Sequence, residues 1–248
     1  MQPKISFKVD KEKDFLSYKA FLNDAEYNKL ILDWAFFNKH PNLKNSIKES
    51  DGHFIGNDNS IKKFINEYYS NNLNSIKSNM KEYERIWNTK KDEYFKLVSE
   101  LFSNDYWPKG EYVAYSTIWG LFPRFLEEKS FQIPAIYEKK DYIQVIIAHE
   151  MLHFIFYNYF LKNYPKYNME GDDFFIWHIS EIFNSIIQNS KSWLNEFKTE
   201  AQTYPEHDKI IENLEKKYKN SSNFETKELI EDILSEVKKN PNLYSFEN

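Results

Sequence analysis

Residues 141–162 read DYIQVIIAHEMLHFIFYNYFLK, a stretch without Gly or Pro in which apolar side chains surround the whole helical circumference. A surface helix carries one apolar stripe and a polar back, whereas a helix that is apolar all round is buried. Asp141 has the short polar side chain that favours an N-cap, so the stretch predicts a buried helix from Asp141 to about Lys162. Three polar residues stand in its middle, His149, Glu150 and His153. Burying them is costly unless each finds a partner.

Their spacing supplies one. Residues four apart sit one above the other on a helix face, so His149 and His153 can reach a single metal ion. Glu150 lies about 100° further round the helix and flanks that ion, where it can hold a water. With 6 His in 248 residues, an H-E-x-x-H arises by chance on the order of once per hundred such chains. Chance copies fall mostly in loops or on solvated faces, and this one lies in a capped apolar helix directly after two strand candidates. Without a metal, both buried rings and Glu150 would need hydrogen-bond partners of their own.

Two histidines do not complete a zinc site. Catalytic zinc takes three protein ligands and a water, drawn from His, Asp and Glu when Cys is absent, and this chain has 0 Cys. A third histidine at the H-E-x-x-H-x-x-G-x-x-H spacing is excluded, because Phe156 and Tyr159 occupy those positions. A second apolar helix is expected from Phe174 to about Ser190, capped by Asp172 or Asp173. Glu181 is its only acidic residue, set among Ile179, Ile182, Phe183 and Ile186. A carboxylate there needs a cation or strong donors, and zinc would supply the cation. His178, three residues earlier, can share that face and competes for the role, with Glu181 the better match by ligand type.

His149-Glu150-x-x-His153 followed 28 residues later by a helical Glu181 resembles the gluzincin branch of the zincin metallopeptidases, the thermolysin-like branch. The resemblance covers roughly Tyr112 to Asn189. It implies a zincin-like core, zinc as cofactor, and a peptide or protein substrate held by an edge strand, for which the strand ending at Ile136 is the matching position. Gluzincins often carry an Asp one turn after the glutamate ligand that hydrogen-bonds a zinc-bound imidazole. Here Asn184 and Ser185 stand one turn on, and each can accept from an imidazole N–H. Peptide deformylase chemistry also uses H-E-x-x-H, but its third ligand is Cys, which excludes it.

The chemistry such a site performs follows from physical need. Zinc lowers the pKa of water toward 7 and polarises a carbonyl. Glu150 is the expected general base, taking the water proton and passing it to the leaving amine. A hydrogen-bond donor must meet the oxyanion; His178, if Glu181 ligates, Tyr204 and His207 are the candidates. Arg124 is ordinarily a surface or loop ion pair, and its functional reading is an anchor for a substrate carboxylate.

Outward from this core, Glu111–Trp119 and Ser130–Ile136 are β-branched and aromatic and predict strands. Pro134 marks the second as an edge strand. Asp14–Phe37 predicts one amphipathic helix or two, broken near Asn23-Asp24, and Asn38–Ser60, with Pro41, Gly52 and Gly56, a loop region. Helices are expected at Ile61 to about Trp87, with Asn71-Asn72 as a point of interruption, and at Lys91 to Phe102. From Lys191 onward loops alternate with charged helices. The expected fold class is α+β, predominantly α, with a small sheet beside the H-E-x-x-H helix. The expected divisions are an N-terminal helical region (1–105), a zincin-like catalytic core (106–200) and a C-terminal helical extension (201–248).

Composition narrows the alternatives. The net charge is −5 and only Arg85 and Arg124 represent arginine among 33 basic residues, a poor match to nucleic-acid binding. No apolar run approaches the ~18–20 residues that span a bilayer. Met1–Ala20 has no apolar leader segment, so a cytoplasmic location is expected. An aromatic share of 18% can fill a large core without disulfides. The expected function is a zinc-dependent metallopeptidase. A rival from another class is a helical binding or scaffold protein whose zinc site is structural or inactive, closed by His178 as a fourth ligand beside His149, His153 and Glu181. Metal-dependent hydrolysis of a non-peptide amide shares the site and differs only in substrate. Oligomeric state leaves no signature in the sequence.

Overall fold

The two strands expected around residues 111–136 form as Tyr112–Thr117 (β4) and Ser130–Pro134 (β6) and pair in parallel, Val113 opposite Ser130 through Thr117 opposite Pro134. The protein's computed structural model describes residues 2–23, 32–50, 53–103, 106–167, 173–218 and 225–240. Ile5–Lys8 (β1) adds a parallel strand on the other side of β4, and Arg124–Phe125 (β5) pairs antiparallel with the start of β6, giving the order β1-β4-β6-β5. A separate hairpin joins Ile47–Ser50 (β2) to His53–Gly56 (β3). The fold is α+β and predominantly helical, as expected.

The sheet departs from the sequence reading in three ways. The first 105 residues are not all-α, because they contribute β1 and the hairpin. The hairpin lies inside the stretch expected to be loop. β6 is not an edge strand over its whole length: β5 covers Ser130 and Phe131, and Gln132 N donates to Pro123 O at 2.9 Å. Pro134 ends the strand, where the proline's missing N–H disturbs the ladder least.

The chain divides into two compact units, Lys4–Arg85 with Glu111–Lys140, and Met1–Pro3 with Ile86–Gly110 and Asp141–Asn248. The first holds the sheet and Lys11–Leu22 (α1), which Asp10 caps by accepting from Glu12 N at 3.0 Å. Residues Leu32–Phe37, expected to be α-helical, form a π-helical turn. Gly120 N donates to Ala35 O at 2.8 Å, an approach so close that a Cβ on Gly120 would stand 2.9 Å from that oxygen. In the core of this unit Asp14 accepts from Tyr69 Oη (2.7 Å), Ile118 N (3.1 Å) and Gln132 Nε2 (3.1 Å), while Ser17 Oγ donates to Gln132 Oε1 (2.6 Å).

A single helix, Asp58–Leu101 (α2, 44 residues), replaces the two expected. Asn72 does not interrupt it, because its amide donates to the carbonyl of Tyr68 (2.8 Å) and so reinforces the turn it was expected to break. Buried side chains flank that point on both sides, Ile61, Ile65 and Tyr69 before it and Ile76, Met80 and Tyr83 after it. Thr226 Oγ1 meets the final carbonyl, Leu101 O, at 2.6 Å.

The second unit is helical. Ile143–Asn163 (α3) is buried on nearly every side, as its composition requires. It starts later than expected: Asp141 lies in a 3-10 turn, Lys140–Tyr142, and Tyr142 precedes the helix without a side-chain cap. Asp173–Gln188 (α4) packs along α3, with Phe183 against Phe156 at 5.0 Å between ring centroids. Lys191–Phe197 (α5), Asp208–Tyr218 (α6) and Thr226–Lys238 (α7) follow, and α6 and α7 cover α4. The expected cap Asp172, together with Asp24 and Gly52, lies outside the described residues. Among the described residues no helix is long and apolar enough to cross a membrane.

Candidate metal centre

The pairing of α3 with α4 turns the spacing of two histidines into a cluster. His149 and His153, one turn apart on α3, bring their Nε2 atoms to 3.0 Å of each other. Glu181, from α4, lays its carboxylate across both: Oε2 is 3.0 Å from His149 Nε2 and Oε1 is 3.2 Å from His153 Nε2. These donor atoms all lie within 4.8 Å of one another. Glu181 and His153 are buried, whereas 18% of the His149 side chain is exposed, so the cluster opens to solvent on the His149 side. Glu150 is buried beside it, at the next position of α3.

Electrostatics ties the three groups together. Burial works to raise the Glu181 carboxyl, but the His153 and His149 imidazoles, by charge and by hydrogen bond, hold it well below the usual carboxylate range. Burial works to lower His149, yet the charge and hydrogen bond of Glu181, with the charge of Glu150, push it up to about 9. A buried carboxylate requires positive charge close by. Here that is either protons on the imidazoles or a cation held by them.

The residues present fit a metal ion. Two imidazole Nε2 atoms and a carboxylate form a donor set suited to zinc. Gln188 gives one of these imidazoles a defined tautomer. Its Nε2 donates to Val145 O at 3.1 Å, which turns its Oε1 toward His149 to accept from Nδ1–H at 2.8 Å. With the Nδ1 proton pinned, Nε2 is the nitrogen that can exchange a proton for a cation.

Other expectations are corrected. Asn184 and Ser185 hydrogen-bond neither imidazole. The short Asn184 side chain reaches the α3 backbone instead, donating to His149 O at 3.3 Å, and Ser185 is buried in the helix contact. Gln188, one turn beyond Asn184 with a longer side chain, takes the role expected of them. His178 does not join the ligand group, since its Nδ1 meets His207 Nε2 at 2.7 Å. The three residues considered as oxyanion donors come together around one ring: Tyr204 and His207 pack on Trp177 at 5.1 and 5.7 Å, and His178 adjoins it at 4.8 Å. His207 is buried and Tyr204 is 38% exposed. Arg124 is half-buried in β5.

No protein-family model matches the chain, and neither the curated proteins nor the solved structures searched contain a match.

Proposed function

We propose that this protein is a zinc-dependent metallopeptidase of the gluzincin type, acting on a peptide or protein substrate. The observation that carries the reading is the convergence of His149 Nε2, His153 Nε2 and the Glu181 carboxylate, with Glu150 alongside and no fourth His, Asp or Glu donor in the group among the described residues. Three protein donors are the number that leaves a position for water and substrate, whereas a structural site is closed by four. The engagement of His178 with His207 weighs against the closed arrangement.

In this reading His149, His153 and Glu181 hold zinc, which when bound supplies Lewis-acid chemistry: a lowered pKa for water and a polarised substrate carbonyl. The remaining work falls to the chain's own groups. Glu150 accepts the proton of the attacking water and delivers it to the departing amine nitrogen, so that the C–N bond breaks without releasing an amide anion. Gln188 keeps the His149 proton on Nδ1 throughout. A donor from the His178, Tyr204 and His207 cluster meets the negative charge that develops on the carbonyl oxygen.

The test is Glu150→Gln beside wild type, both loaded with zinc and presented with a peptide library. The expected result is unchanged zinc per chain with hydrolysis reduced by about 100-fold or more, the scale of losing a general base. Equal hydrolysis by the two proteins overturns the reading. Zinc without hydrolysis in wild type points to a binding protein, and turnover of non-peptide amides alone narrows the substrate class.

A further inference from the structure

His178 and His207 form a buried pair joined by one hydrogen bond of 2.7 Å between Nδ1 of the first and Nε2 of the second. Burial lowers His178 to about 4 and lowers His207 as well, so both rings are neutral near pH 7 and a single proton lies between them. Either ring could supply it. The far nitrogen of His207 decides which: Nδ1 is buried, and among the described residues nothing hydrogen-bonds to it. If His178 donated, His207 would carry its own proton on Nδ1 as a buried N–H with no acceptor, the rarer and costlier state of a buried polar group. If His207 donates from Nε2, its Nδ1 bears only a lone pair. The second arrangement leaves the proton of His178 on Nε2, a nitrogen with no partner among the described residues and not sealed from solvent.

We propose that His207 is a positioning residue: by donating Nε2–H to His178 Nδ1 it holds His178 as the Nε2–H tautomer, and His178 presents that proton to the developing oxyanion of the substrate. His178 stands one turn before Glu181 on α4, on the same helical face as the carboxylate. Trp177 and Phe174 flank its ring, at 4.8 and 4.4 Å between centroids, and restrict its rotation. Tyr204, 38% exposed, lines the cluster. The catalytic half of the inference rests on the metallopeptidase reading; the tautomer does not.

Two measurements separate them. Nitrogen-15 spectra of the imidazoles, taken on full-length protein with and without zinc, report which ring nitrogens bear protons. The expected pattern is a bare Nδ1 and a protonated Nε2 on both His178 and His207; a protonated Nδ1 on either residue overturns the proposal whatever the activity. Kinetics then compare His207→Phe, which removes the donor, with His207→Gln, whose Nε2 restores it. His207→Phe is expected to lower kcat by roughly 10- to 100-fold with little change in KM, since removal of an oxyanion donor costs on the order of 100-fold or more. His207→Gln is expected to recover most of that loss, and His207→Phe added to His178→Phe to cost nothing more. A His207→Phe enzyme as fast as wild type, with the tautomers in place, overturns the oxyanion role. Absence of hydrolysis in wild type overturns it together with the metallopeptidase reading, and the spectra still decide the tautomer.

Discussion

Gln188 Oε1 sits 2.8 Å from His149 Nδ1 while the other end of the same amide is tied to Val145 O. One side chain thereby fixes both the tautomer and the rotation of the His149 ring, reaching from 39 positions further along the sequence on α4 to the carbonyl four residues before that ring on α3. Outer partners of this kind typically contribute 10- to 100-fold in metal affinity. Gln188→Leu is therefore expected to retain the fold and weaken zinc binding by about that factor, measured by competition against a chromophoric chelator. An unchanged affinity would show that the helix contact alone orients His149.

Glu181 bridges both imidazoles, so in the proposed zinc site its loss would remove a ligand together with the charge that favours a cation there. Zinc per chain is expected to fall from near one in wild type to near zero in Glu181→Ala, by elemental analysis on untagged protein. Zinc should also raise the melting temperature of wild type and leave that of the variant unmoved, because only a ligand bound to the native state stabilises it.

Asp14 gives the sheet-bearing unit a defined pH response. Burial raises its carboxyl to about 7, against the hydrogen bonds from Thr117, Tyr69, Ile118 and Gln132 that work to lower it. The folded-state value lies above the unfolded one near 3.9, so between pH 4 and pH 7 only the unfolded chain ionises there, and stability falls as pH rises. Three units at about 1.4 kcal/mol each give a loss of roughly 4 kcal/mol across that window. Below pH 4 and above pH 7 the contribution is flat. Chemical unfolding of wild type beside Asp14→Asn checks it: the difference between the two should shift in favour of the variant from pH 4 to pH 7, and a constant difference would remove Asp14 as the cause.

At Gly56 the constraint is steric. A Cβ built there meets the Tyr18 hydroxyl at 1.8 Å and Leu22 Cδ2 at 3.1 Å. Tyr18 is fully buried, and among the described residues no group hydrogen-bonds its hydroxyl. Gly56→Ala should destabilise by about 1–3 kcal/mol, the usual penalty of overpacking. Tyr18→Phe alone should be neutral or slightly stabilising, and should recover part of the loss when combined with Gly56→Ala. Additive effects in this double-mutant cycle would place the strain elsewhere.

These sites differ in how openly they are written in the chain. His149, Glu150 and His153 are legible because four-residue spacing on a continuous apolar run has one geometric meaning. Glu181 is legible because a lone acid among Ile and Phe demands a counter-charge. Gln188 shares its helix face, two turns on, but a neutral amide near a helix end carries no comparable demand, and only the neighbouring helix reveals what it holds. The His178–His207 contact likewise joins residues 29 apart in sequence through helix packing. In the fold, β4 and β6 announce themselves by β-branched and aromatic content. β1 is four residues long, and Lys48 and Glu49 in β2 are weak strand formers, so both strands depend on partners that periodicity does not encode.

The register of β1 has a consequence for how the protein is made. Ile5 pairs with Tyr112 and Lys8 with Tyr115 in parallel, and the sheet is complete only once Pro134 lies opposite Thr117. Of the strands in this sheet β1 leaves the ribosome first, and it waits for partners more than a hundred residues behind it. At about 5–20 residues per second, the roughly 125 residues between Lys8 and Pro134 take about six to twenty-five seconds to synthesise. Throughout that interval Ile5, Asp14 and Tyr18 lack the β4 and β6 surfaces that bury them, while the local contacts of α2 can already form. A slowed ribosome, or a truncation before Pro134, would leave an N-terminal segment whose apolar side chains have no sheet to join. Nascent-chain quality control should act on this protein most strongly at those lengths.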